Sequence, residues 1–332
     1  MISDYVHPIL KKTVGTLLHE LTDTQRSPMK KLIPFLRPIN VTSQLPKTQC
    51  HWSYGPGKRI STETHKTQVM ATVNVTPDSF SDGGIHDKLP SALSYVSSSV
   101  AAGATIIDIG GYSTRPGAAF LSIEDEISRV VPVIRALRNK EALMALKHGI
   151  DNSEEAQEEH IEAIMKIPIS IDTFRPEVAE AAIQAGANCI NDVYAFTGPN
   201  SWLPASLGNE VANENTVNMK LIARKYGVPI VLMHSRGDAG SNKDYSSFAY
   251  ALDNEGRGAV LEGVRVELGA KVNRIVRGKG GVRRWLVIVD PGIGFSKTLE
   301  GNLELLRSAK SVVADVNIGH GSSSSIPIFQ SI

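Results

Sequence analysis

From Thr67 onward the apolar residues come in two alternating textures. Short unbroken runs rich in β-branched residues end abruptly in a polar residue, which is the mark of a buried strand. Between them lie longer stretches with apolar residues at helical spacing. The runs Val69–Val75, Ala104–Ile109, Ile167–Ile171, Asn188–Ile190, Val228–Met233 and Trp285–Val289 read as six strands. Leu89–Ala102, Ile123 to about Lys140, Glu177–Ala185, Leu252–Arg277 and Leu299–Ala309 read as helices. Gly103 and Gly186 stop two of them, as a residue free of Cβ does at a helix end. Glu124, Asp125 and Glu126 open the second helix and Arg135, Arg138 and Lys140 close it, the order the helix dipole favours. The acidic stretch Asn152–His160 reads as a solvated insertion, and Gly198–Asn215 as a polar surface excursion.

Strands alternating with helices imply a parallel α/β sheet, either doubly wound or closed as a barrel. A doubly wound sheet announces itself with a Gly-rich turn after its first strand. Here that turn is Asn74-Val75-Thr76-Pro77-Asp78-Ser79-Phe80-Ser81-Asp82-Gly83-Gly84, so the barrel is the expectation. Each run ends in a polar residue: Asn74, Asp108, Asp172, Asn191 with Asp192, His234 and Asp290. Strand C-termini meet at one mouth in a βα barrel, so these side chains are expected to converge.

Residues 1–66 have a different texture. Ile9, Leu10, Val14, Leu17, Leu18 and Leu21 fall on one side of a short helix, followed by a linker punctuated by Pro28, Pro34, Pro38, Pro46 and Pro56. This is either a leader or the tail of a preceding domain; the second reading is favoured. A length of 332 residues with 42% hydrophobic content suffices for one large barrel plus extra material. A formal net charge of +1 argues for neither nucleic acid nor a membrane surface as partner. The two cysteines, Cys50 and Cys189, suit a reducing compartment. No apolar run reaches membrane-spanning length. A soluble, cytoplasmic enzyme is the expectation.

Taken singly, an Asp after a strand is a turn or cap residue. As a set, several carboxylates at one mouth repel unless a ligand or metal accounts for them. Carboxylates suit the N–H groups of an amidine-like edge and an amide suits carbonyl or ring nitrogen, so Asp172, Asn191 and Asp290 can read a heterocycle. Arg115, within Ser113-Thr114-Arg115-Pro116-Gly117, is either a solvated charge or a bidentate anion grip. Asn74 can offer an oxygen to Mg²⁺, which keeps several waters and bridges phosphates. Phe80 and Phe295 are ligand walls or loop packing, and His234 is structural rather than a base.

Six segments, NVTPDSFSDGG (Asn74–Gly84), DIGGYSTRPG (Asp108–Gly117), SIDT (Ser170–Thr173), Asn191-Asp192, VLMH (Val231–His234) and DPGIGFSK (Asp290–Lys297), together resemble dihydropteroate synthase from about Val69 to Arg307. The resemblance implies an α/β TIM (β/α)8 barrel, incomplete, with about six of eight βα units recognisable and an N-terminal helix-plus-linker extension. It implies condensation of 6-hydroxymethyl-7,8-dihydropterin pyrophosphate with p-aminobenzoate, two small-molecule substrates, giving 7,8-dihydropteroate and pyrophosphate, with Mg²⁺ as cofactor. Carried onto this chain, Asp172, Asn191 and Asp290 hold the pterin with Met233 beside it, and Asn74 serves the metal and pyrophosphate. Thr114, Arg115 and Pro116, with Phe80 and Phe295, shape the p-aminobenzoate pocket. Asp82 stabilises the developing pterin cation, with Arg115 and Asp290 as further catalytic groups, and loop closure excludes water.

His7–Leu18 resembles the last helix of the pterin pyrophosphokinase that precedes the synthase in fungal multifunctional folate proteins. The implied organisation is 1–66 as that tail plus linker, 67–310 as the synthase barrel and 311–332 as an aberrant tail. Members of the family commonly dimerise through C-terminal helices, so a homodimer is expected, and an upstream N-terminus would allow a mitochondrial location. Two departures stand out. Tyr112 occupies a position where a smaller or polar residue is expected. Residues 311–332 carry no Ser-Arg-Lys motif and no Arg before His320, so this chain is expected to be poorly soluble or inactive alone. The rivals are a corrinoid-dependent methyltransferase-type pterin barrel and an inactive pterin-binding fragment.

Overall fold

The apolar runs form six parallel strands: β1 (Met70–Asn74), β2 (Ile106–Gly110), β3 (Ile169–Asp172), β4 (Cys189–Asp192), β5 (Ile230–Met233) and β6 (Val287–Asp290). They pair in the order β1-β2-β3-β4-β5-β6. A doubly wound sheet reverses its strand order at a switch point; this order never reverses and is that of a βα-barrel wall. The computed structural model describes residues 68–76, 88–113, 120–145, 153–198, 214–237, 239–246, 258–277, 280–308 and 312. All belong to the unit Ser61–Ile332. The helix and linker expected in residues 1–66 and the tail 313–332 lie outside the described residues.

The register explains why the strands hold. Val73, Ile109, Ile171, Ile190, Ile230 and Val287 lie side by side across the sheet, and each is buried. Successive residues of a strand face opposite ways, so this row and its neighbours Ile107, Ile169, Leu232 and Val289 form one aliphatic face. Each such side chain contributes about 1.5–3 kcal/mol when fully buried, and truncating one to Ala costs about 2–5 kcal/mol. The helices cover that face: α1 (Lys88–Ala101), α2 (Ile123–Leu137), α3 (Lys140–Met144), α4 (Glu154–Lys166), α5 (Pro176–Ala185), α6 (Glu214–Tyr226), α7 (Ala259–Val276) and α8 (Leu299–Arg307). The other face is left for the site.

Several boundaries differ from expectation for physical reasons. The helix expected over Ile123–Lys140 breaks after Leu137, and Asn139 caps α3 by accepting from the Ala142 amide at 2.8 Å. Arg138 is not a dipole partner. Its guanidinium donates to Gly186 O, Met165 O and Asn188 Oδ1 at 3.1, 2.9 and 2.8 Å, tying α2 to the entries of β3 and β4. Residues 153–160 are exposed or half-buried, as expected of a solvated insertion, and they form the first turns of α4, which becomes buried just beyond. Ser153 caps α4, Ile161 and Ile164 are buried, and His160 Nε2 meets Ser97 Oγ at 2.9 Å. β6 begins at Val287 because Arg284–Leu286 forms a 3-10 turn. Of the expected helix Leu252–Arg277 the structure describes Gly258 onward.

Candidate active site

Strand parity sets the site. Asn74, Gly110, Asp172 and Asn191 are partners across β1 to β4, one residue along from the aliphatic row and so on the opposite face. The row continues through Val231 and Ile288; two residues further on, Met233 pairs with Asp290 on the same face. Asp108 lies one step below, beside Ser170. Six separate polar or soft side chains, Asn74, Asp108, Asp172, Asn191, Met233 and Asp290, therefore share one surface. Gly110 keeps it open: a Cβ there would stand 3.3 Å from Asp172 Oδ2 and 3.5 Å from Asn74 Oδ1.

The carboxylates feel one another. Asp172, half-buried, is pushed well above the usual carboxylate range, first by burial and then by the negative charges of Asp108, Asp192 and Glu126. Asp290, 3% exposed, is raised by burial to about 6, with the Asp108 charge adding to the rise and the Gly292 amide opposing it. Asp108 is raised by burial against the hydrogen bond that Asn191 Nδ2 donates to its Oδ2 at 3.1 Å. Among the described residues its other oxygen, Oδ1, and Ser170 Oγ make no hydrogen bond of good geometry, although the Ser170 hydroxyl lies near enough to oppose the rise of Asp108. Orphaned buried polar atoms are costly, and here they line the floor beneath the Asp172–Asn191 row. N–H groups brought against these acceptors would favour the charged form and let the acids ionise, and such shifts cluster where a ligand supplies them.

Asp192, grouped with the mouth acids on sequence grounds, faces the other way. It pairs with Leu232 on the aliphatic side, and its carboxylate accepts the Tyr194 and Phe196 amides at 2.7 and 2.9 Å. It is a turn-forming residue. His234 is structural, as expected: fully buried, its Nε2 meets Glu267 Oε2 at 2.7 Å, and burial lowers it to about 3. Arg236 grips the same Glu267 through both Nε and Nη2. Against the burial penalty, the hydrogen bonds from His234 and Arg236 hold Glu267 at about 2.

A second buried pair supports the β2 and β3 ends. Arg175 Nη1 meets Glu126 Oε2 at 2.9 Å, and Thr173 Oγ1 donates to Glu126 Oε1 at 2.8 Å. Arg175 also donates to the Leu121 and Ser122 carbonyls, anchoring the chain where it enters α2. Its guanidinium lies 4.9 Å from the Tyr112 ring centroid and 5.4 Å from that of Phe174, and the two rings meet edge-on at 5.6 Å. Tyr112 is thus packed into this support. Nothing local in the sequence signals it, because Glu126 and Arg175 are 49 residues apart.

Phe295 is half-buried in the turn after β6, its amide donating to Gly292 O at 3.1 Å. Phe80, Asp82, Thr114, Arg115 and Pro116 lie outside the described residues. Among the described residues no group of three or more His, Cys, Asp or Glu side chains could hold a metal.

A model of the family described as "Pterin binding enzyme" matches residues 70–156 and 147–324, which span every strand and every acid above. The chain belongs to the pterin-binding enzyme family. Within it, the chain is 36% identical over 247 residues to the dihydropteroate synthase of Clostridium beijerinckii, covering 74% of this chain and 70% of that one. It is 34% identical over 304 residues to the folic acid synthesis protein fol1 of Pneumocystis carinii, covering 92% of this chain. A match of that extent reaches into the residues before Thr67. The chain spans 32% of the length of that relative. Among solved structures, a dihydropteroate synthase from Clostridium difficile in the presence of pteroic acid matches with a TM-score of 0.55 and 29% identity, covering 80% of this chain and 75% of that one. A Burkholderia cenocepacia synthase complexed with 7,8-dihydropteroate matches at 0.54 and 26%, covering 80% and 71%. The wall of six strands is accordingly that of a TIM barrel, and the relatives are dihydropteroate synthases.

Proposed function

We propose that the chain carries the dihydropteroate synthase reaction. The observation behind this reading is the shared face of Asn74, Asp108, Asp172, Asn191 and Asp290, whose three carboxyls, held above their usual range, are suited to N–H donors. Asp172 and Asp290 accept ring and amino N–H groups of the pterin, and Asn191 serves a carbonyl or ring nitrogen. As the ring binds, the carboxylates ionise and place negative charge beside the carbon that loses pyrophosphate. The C–O bond to pyrophosphate breaks, the resulting pterin cation is stabilised by those carboxylates and by Asp82, and the amine of p-aminobenzoate forms the new C–N bond while shedding a proton. Phe295 and Phe80 border the arylamine, with Thr114, Arg115 and Pro116. Asn74 fits a Mg²⁺ borne on substrate pyrophosphate: one amide oxygen and no carboxylate cage is the donor set for a cation that keeps its waters. The metal would supply charge neutralisation on the leaving group.

The extended match to the fungal relative supports a fused pterin pyrophosphokinase as the neighbour of residues 1–66. Incorporation of labelled p-aminobenzoate into dihydropteroate by the full chain tests the proposal and separates it from a methyltransferase-type barrel. Pterin binding without incorporation, at saturating Mg²⁺, would overturn the proposal and leave the methyltransferase-type barrel and the inactive fragment.

A further inference from the structure

We propose that Lys297 is a positioning residue that staples the turn after β6 in place, setting Phe295 for the arylamine and Asp290 for the pterin. Lys297 is 3% exposed. An ammonium has three N–H groups, and Lys297 Nζ finds three acceptors: Gly292 O and Phe295 O at 2.8 Å each, and His234 Nδ1 at 3.2 Å. The third bond defines the histidine. Ionised Glu267 can only accept, so Nε2 of His234 carries the proton and Nδ1 keeps a lone pair for the lysine. A single chain of contacts thus runs from Glu267 on α7 through the end of β5 to the turn.

The turn depends on that chain. Gly292 adopts φ +68°, and a Cβ there would collide with the His234 carbonyl. The Gly292 amide donates to Asp290 Oδ1 at 2.7 Å, so the turn also aims the site carboxylate. Ser296 joins it to the neighbouring segment, its amide donating to Ala239 O at 2.8 Å. Without the lysine, Phe295 O loses this donor and Gly292 O is left with the Phe295 amide alone. The inference rests on the reading that Phe295 borders the arylamine. The charges of Asp290, Glu267, Arg236 and Lys271 act on Lys297 and His234 Nδ1 accepts from it; burial brings it down to about 7, Asp290 and Glu267 opposing the fall and Arg236 and Lys271 adding to it. A neutral amine keeps two N–H groups, so the staple is complete only below about pH 7.

Hydrogen exchange of the full, ligand-free chain at pH 6 and pH 8, corrected for intrinsic rates, tests this alongside calorimetric titration with dihydropteroate. Lys297→Met should lose about tenfold or more protection over 291–297, leave β1 to β4 unchanged, and bind dihydropteroate about tenfold more weakly, the weight of one charge-assisted hydrogen bond. The unmutated chain should lose part of the same protection between pH 6 and pH 8. Unchanged protection in a folded Lys297→Met, or a loss spread evenly over the sheet, overturns the proposal. Should that variant not fold, the pH series on the unmutated chain decides, and equal protection at both values overturns it. If the unmutated chain binds no dihydropteroate while 291–297 still loosens in the variant, the functional reading fails and the staple stands.

Discussion

Asp172→Asn separates the cost of the site from its use. The substitution keeps shape and removes an ionisable group that burial, and then the charges of Asp108, Asp192 and Glu126, already raise. A carboxyl whose folded pKa is raised stabilises the fold below its unfolded value, near 4, and that contribution is lost as pH rises through the folded value. The variant is free of this loss, so its stability relative to the unmutated chain should grow as pH rises above about 4. Binding should move the other way. One charged acceptor becomes an amide whose NH₂ faces ligand N–H groups, and a hydrogen bond to a charged group contributes about 1.5–3 kcal/mol. That corresponds to roughly 10- to 150-fold weaker pterin binding. Urea denaturation from about pH 5 to pH 8 and calorimetry with dihydropterin pyrophosphate at about pH 7.5 give the two readouts. A variant that binds the pterin as tightly as the unmutated chain would refute the role of Asp172; parallel stability curves would refute the charge argument.

Other changes probe the supports. Gly110→Ala should leave stability within about 1 kcal/mol yet weaken pterin binding about tenfold, since its methyl would enter between Asn74 and Asp172; titration with dihydropteroate checks this. Gly292→Ala needs a positive φ and a collision with the His234 carbonyl, so a loss above about 3 kcal/mol in urea denaturation, or no soluble chain, is expected. Glu126→Gln leaves Arg175 buried without its ionic partner and should cost about 3–5 kcal/mol in the same assay. Chelation of Mg²⁺ should abolish incorporation of p-aminobenzoate, with recovery on adding the metal back, and Asn74→Ala should raise the concentration needed for recovery.

The strands were legible because aliphatic runs ending in a polar residue leave little other choice, and the site acids because each is such an ending. What could not be read was parity. Asn191 and Asp192 are neighbours of similar chemistry, and only the pairing of β4 with its neighbours shows that one faces the ligand and the other the helices. Asp108 could be seen as an acid at a strand end but not as the partner of an amide 83 residues away. Glu126, Arg175 and Glu267 escaped for the same reason: their ionic partners are distant in the chain, and a charged residue within a helix or a turn ordinarily faces water; of the acceptors of Lys297 only His234 is distant, 63 residues away. Lys297 closes a motif that named the family without revealing its own contacts. The expected break-free helix to Lys140 failed at Arg138, whose three carbonyl and amide acceptors outweigh continuing the helix.

The alternation of faces along β3 has a consequence for how such a site changes over time. Removing one residue from that strand would carry Ile171 into the ring-reading position and turn Asp172 toward the helices, undoing recognition and burial together. Substitution, one side chain at a time, is therefore the route by which specificity here can shift, whereas gains and losses of length are confined to the connections between strands.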